Sequence, residues 1–153
     1  MAEVSSPLLD LIRDQGLIDD LQFEEVLSEH KRNGEPVFQI LQNFGILDAD
    51  SILQAMANAL SAEVFSLRNA EIPKAVTGLL PAAQARALEC LPVEDTGSIV
   101  KVAVVDPFNP QRIDEIGFIM KRDVQLVIVE PVEIKKAIDK YYSDDGGNFA
   151  EML

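Results

Sequence analysis

Asp106 ends an apolar run, IVKVAVV at residues 99–105, where a phospho-accepting aspartate would stand. Such a site also needs neighbouring acids for Mg²⁺ and a lysine on a later strand. The next apolar run, VQLVIVEP, ends without a lysine, and Pro107 and Pro110 fit a turn. Asp106 is therefore read as a turn residue. A triphosphate loop needs a lysine followed by Ser or Thr, and none of the seven lysines has that neighbour. Neither G-x-G-x-x-G nor G-x-S-x-G occurs. His30 stands near the end of a charged helix with no identifiable acid-base partner. Cys90, between Glu89 and Leu91, reads as a small core residue. Glu24–Glu25 and Lys135–Lys136 read as solvated faces. No catalytic, cofactor-binding or metal-binding residue is expected, and no cofactor.

Composition narrows the classes further. The 153 residues hold 26 acids against 13 Lys plus Arg, a formal charge of −13. Nucleic-acid binders cluster basic residues against phosphates, so that class is excluded, and a bare anionic membrane is as poor a partner. One Cys and one His leave no disulfide framework and no zinc cluster. No apolar run reaches the roughly 20 residues of a membrane span, so no direct membrane insertion is expected. The start, MAEVSSPLLDLIRDQG, lacks a basic region before its apolar stretch and is not read as a secretory signal. A cytoplasmic chain is expected.

The elements that must carry any surface fall into two parts. Shifting the sequence by 29 residues lays residues 7–27 over 36–56: Pro7 meets Pro36, Leu11 meets Ile40, Gly16 meets Gly45, Asp19 meets Asp48 and Phe23 meets Ile52. A fixed period marks a repeated supersecondary unit. Gly16 and Gly45 suit left-handed helix ends, and Asp19 and Asp48 suit N-caps, Asp19 with capping-box spacing to Gln22. Pro7 and Pro36 suit first turns. Helices are predicted near 6–14, 20–32, 36–43 and 49–60, as two stacked hairpins over residues 1–61.

Residues 62–142 read as a small α/β subdomain. A short strand is predicted within 62–67 and one or two helices opened by Pro73 and Pro81. A hairpin of Leu91–Val93 and Ile99–Val105 follows, then a helix from Pro110 with Ile113, Ile116 and Met120 as its stripe. A buried strand at Val124–Val129 and a helix from Pro131 to Tyr142 complete it. The expected fold class is α+β, with four duplicated helices before a three- to four-stranded sheet. Residues 143–153, SDDGGNFAEML, read as a flexible linker or tail.

The first helix carries Leu8, Leu9, Leu11 and Ile12, more apolar surface than one stripe needs. A helix of about nine residues is not stable alone in water. Its two readings are packing on the other three helices and an exposed patch for a partner. These four residues are the candidate partner-binding positions.

The duplicated helices, then IPKAVTGLLPAAQARALECLPV (72–93), VAVVDPFNPQRIDEI (102–116) and VEIKKAIDKYY (132–142), resemble the N-terminal domain of the type II secretion and type IV pilus assembly ATPases. The resemblance implies a non-catalytic docking or regulatory domain, cytoplasmic and peripheral to the inner membrane. Its partners would be the cytoplasmic parts of inner-membrane platform proteins, and its own ATPase core if the chain is part of a longer one. In some members the duplicated helices bind cyclic di-GMP, through Arg-Leu-Gly at the start of each repeat, a Gly seven residues on and a closing Gln. This chain has Pro7-Leu8-Leu9, Gly16 and His30 at those places, then Pro36-Val37-Phe38, Gly45 and Ala59. Both arginines are missing from a region holding 12 acids and 4 bases over residues 1–70, so cyclic di-GMP is not an expected partner. A cyclic di-GMP sensor and a free-standing adaptor of the same fold are the alternatives.

Overall fold

The computed structural model describes residues 6–68 and 70–152, with side chains as far as Tyr142. The chain divides after Ser61 into two compact units. The fold is α+β.

Unit 1 is four helices: α1 (Pro7–Asp14), α2 (Asp20–Asn33), α3 (Val37–Asn43) and α4 (Ala49–Leu60). The repeat is visible in its hinges. Gly16 and Gly45 both adopt left-handed backbone, φ +74° and +70°, which costs a residue with a Cβ about 1–2 kcal/mol. Three residues on, Asp19 accepts from the Gln22 N–H at 2.7 Å, and the Gln22 side-chain oxygen accepts from the Asp19 N–H at 3.0 Å. Asp48 accepts from the Ser51 N–H at 2.8 Å, which holds its carboxyl below the usual range. Pro7 is the first residue of α1, whereas Pro36 stands one place earlier, as the N-cap of α3. Leu9, Ile12, Val26, Ile40, Leu41 and Ile52 are fully buried. Leu9 and Ile12 therefore correct the expectation that all four apolar positions of α1 could meet a partner. Helical spacing of three puts them on one face, and that face packs inside the chain while Leu8 and Leu11 stay half-buried.

Unit 2 is a four-stranded sheet with four helices among its described residues. Its elements are β1 (Glu63–Val64), α5 (Lys74–Thr77), α6 (Ala82–Leu88), β2 (Cys90–Asp95), β3 (Ile99–Val104), α7 (Pro110–Met120), β4 (Asp123–Ile128) and α8 (Pro131–Met152). The strand order is β1-β4-β3-β2. β2 and β3 form the antiparallel hairpin, with a register shift between Pro92 and Glu94. β3 and β4 are parallel, which demands a crossover, and α7 is that crossover. Val100, Val102, Ile116, Met120, Ile134, Ile138 and Tyr142 meet in the core.

Two sequence expectations change. β4 is buried only at Val127 and Ile128, because β1 supplies just two residues, pairing Glu63 with Val127 and Val64 with Ile128. The earlier half of β4 has a neighbour on one side only. The linker expected from residue 143 is helical backbone: α8 continues to Met152. The stretch contains no proline to stop it, and Gly146 and Gly147 each weaken a helix by about 1 kcal/mol without forbidding it.

Candidate functional site

The residues with catalytic types are occupied by structure. Asp106 accepts from the Phe108 N–H at 3.1 Å, closing the turn before α7. The Nδ1 of His30 donates to the Glu35 carbonyl at 2.6 Å, fastening the end of α2 to the start of α3. Cys90 is buried in β2, and burial pushes its thiol up to about 12 against a weaker opposite pull from Arg112. Among the described residues no three His, Cys, Asp or Glu side chains are grouped to hold a metal. No described helix is long and apolar enough to cross a membrane. What the chain offers instead is surface.

In unit 1, the second hinge borders a shallow groove of about 520 Å³, lined by Gln42, Gly45, Ile46, Leu47, Asp48 and Ser51. Leu21, just past the first hinge, is 69% exposed. The two N-terminal positions left open on α1, Leu8 and Leu11, are half-buried. The structure thus brings Leu9 and Ile12 into the core and leaves Leu8 and Leu11 at the surface.

In unit 2, a broader groove of about 900 Å³ runs between the C-terminal half of α7, the β2–β3 turn and the start of β4. Phe118 stands at its rim, 84% exposed, beside half-buried Ile113 and Val124. Its wall is clamped. Arg122 donates to both carboxylate oxygens of Asp95 and, at 2.6 Å, to the Gly97 carbonyl. Asp95 also accepts from the Gly97 N–H at 2.8 Å. The Arg122 guanidinium and then that N–H hold the Asp95 carboxyl below its usual range. An aromatic ring on a fixed wall is the arrangement that protein interfaces use as an anchor. Sequence reasoning passed over Phe118, although the signal was there. It lies two residues from both Ile116 and Met120, and a step of two turns about 200° round a helix, away from their buried stripe.

A model of the MshEN domain family matches residues 60–148. The type IV pilus assembly ATPase PilB of Thermus thermophilus is 27% identical over 140 residues, covering 87% of this chain and 15% of that protein. The PilB of Myxococcus xanthus is 22% identical over 150 residues, covering 98% of this chain and 26% of that protein. The chain therefore spans about a quarter or less of these relatives' length. Among solved structures, MshE with cdg aligns with 90% of this chain and 100% of its own, at 25% identity and a TM-score of 0.74. The N-terminal domain of XpsE aligns with 91% of this chain and 97% of its own at a TM-score of 0.60, and its 16% identity makes that a likeness of fold. These likenesses bear out the resemblance to the N-terminal domains of pilus and secretion ATPases.

Proposed function

Because this chain belongs to the MshEN domain family, we propose that it is a non-catalytic docking or regulatory domain of a bacterial type IV pilus or type II secretion ATPase. Its partners are the cytoplasmic parts of inner-membrane platform proteins, which hold it at the membrane from the cytoplasmic side. Where the natural chain is longer, its own ATPase core is a second partner. The observation that carries this reading is Phe118. A phenylalanine 84% exposed leaves most of its apolar surface in water, an arrangement that a partner's surface relieves. Leu8 and Leu11 are a second contact region within the same reading. The test is a titration of a platform protein's cytoplasmic domain with the chain and with its Phe118→Ser variant. The variant keeps its melting temperature within about 4 °C, because an exposed position costs at most about 0.5 kcal/mol, and binds at least tenfold more weakly. Equal binding by both removes Phe118 from the interface.

One comparison, the structure of MshE with cdg, favours a second reading in which unit 1 is a cyclic di-GMP sensor. The residues argue for the first reading. Leu9 and Phe38, at the places where the ligand-binding pattern has glycine, are buried side chains. Pro7 and Pro36 replace its arginines with groups that can neither pair with phosphate nor donate from the backbone. Calorimetry decides between them. No stoichiometric site is expected with a dissociation constant below roughly 10 μM, about −7 kcal/mol. Such a site would establish the sensor.

A further inference from the structure

Acids outnumber bases two to one in this chain, 26 against 13, yet one groove reverses the balance. Between residues 67–68 and α8 lies a groove of about 260 Å³. Its rim carries Arg68, Lys136 and Lys140 against Glu133, with Glu130 also beside Arg68. Its floor is Leu67, Ala137 and Tyr141.

Two of the rim cations are open. Lys136 and Lys140 are four apart on α8 and so share a side of it. Among the described residues neither makes an ion pair with a carboxylate, and Lys140 instead stands over the Tyr141 ring at 5.1 Å. Arg68 lies 3.6 Å from Glu133 and 4.0 Å from Glu130. Both ion pairs are longer than a hydrogen bond, and the Arg68 side chain is 68% exposed, so its donor fork stays accessible from solvent. A carboxylate from outside can take that fork in two parallel bonds. The floor is fixed as well as apolar. The Tyr141 hydroxyl donates to the Ala70 carbonyl and accepts from the Ile72 N–H, each at 3.2 Å. Leu67 and Ala137 are buried.

We propose that this groove docks an acidic segment of a partner protein, a short peptide that sets two carboxylates on the Arg68–Lys136–Lys140 rim and one apolar side chain on the Leu67–Ala137–Tyr141 floor. The floor selects a peptide over a small inorganic anion, which would leave it uncovered. The proposal rests on the docking reading for the partner's place in the machine, but the groove's choice of carboxylates does not depend on it.

The probe is a fluorescein-labelled peptide of Glu and Asp with one central Phe, followed by anisotropy with the 153-residue chain. Saturable binding is expected at about 50 mM salt, falling at least tenfold at about 500 mM as the charges are screened. The Lys136→Glu/Lys140→Glu double variant is expected to lose binding at least tenfold, while Lys31→Glu changes it less than twofold. All three positions are exposed, so the melts of both variants follow the parent. A peptide with Lys in place of the acids is drawn to the acidic chain as a whole, so its binding is not weakened in the double variant. Equal binding of the acidic peptide by the double variant, or no binding at millimolar peptide, overturns the proposal. The same proteins are titrated with the platform domain. Peptide binding without platform binding upholds the groove and removes the docking partner. Platform binding that the double variant retains, with no peptide binding, does the reverse.

Discussion

Cys90 shows at the scale of one residue how environment decides chemistry. Its thiol is buried in β2, and burial pushes it up to about 12. At pH 8 about one thiol in ten thousand is then thiolate, against roughly a quarter for a free cysteine. Ellman's reagent is expected to leave the native chain unlabelled for hours and to label one thiol at once in denaturant. Immediate native labelling would mean that the strand end is open. The linked pH effect has a definite sign. The folded thiol holds its proton more tightly than the unfolded one, whose value is about 8.5. This contribution to stability is therefore complete below about pH 8.5 and is lost as pH rises towards 12. Asp19 is a second single-residue case. Its side chain and that of Gln22 exchange bonds with each other's backbone N–H, and Asp19→Ala is expected to lower unfolding free energy by about 1 kcal/mol in urea melts.

At the scale of elements, the two tyrosines of α8 fasten the chain before β2. The Tyr142 hydroxyl donates to the Thr77 carbonyl at 2.8 Å in a buried setting, and Tyr141 spans Ala70 and Ile72. Tyr142→Phe keeps the ring and removes the donor, so a loss of about 1 kcal/mol is expected in denaturant melts. No loss would mean that the carbonyl finds another donor.

The same scale shows what was legible beforehand. Both hinges of the repeat were, because Gly16 with Asp19 and Gly45 with Asp48 state a stop and a restart in residue types with few other uses. The ends of α4, α6 and α7 were less so. They finish on Ser61, Glu89 and Lys121 in left-handed backbone, φ 52°, 52° and 58°, where no glycine announces the stop. The half-exposed β4 depends on how short β1 is, which alternation along β4 alone does not reveal. The α8 groove was hidden for another reason. Lys136 and Lys140 share a helix side by spacing, but Arg68 reaches them only through the fold, 68 residues away from Lys136 in sequence.

At the scale of the whole molecule, the described residues present surface grooves and no cluster of three His, Cys, Asp or Glu side chains that could hold a metal. ATP turnover by the purified 153-residue chain is expected to equal that of a mock purification, since no triphosphate loop occurs in its sequence. Turnover above that level would require a nucleotide site of a kind not visible in its motifs. The charge of −13 adds an expectation about rates. A basic partner should associate faster at low salt, with the gain falling as ionic strength rises.

The proposed docking function is tested most directly by calorimetric titration of the 153-residue chain with the cytoplasmic domain of a platform protein from the same machine. A one-to-one complex with a dissociation constant of roughly 10 μM or tighter, about −7 kcal/mol or stronger, is the expected result. Absence of any complex with every platform component at about 100 μM, roughly −5.5 kcal/mol, would contradict it.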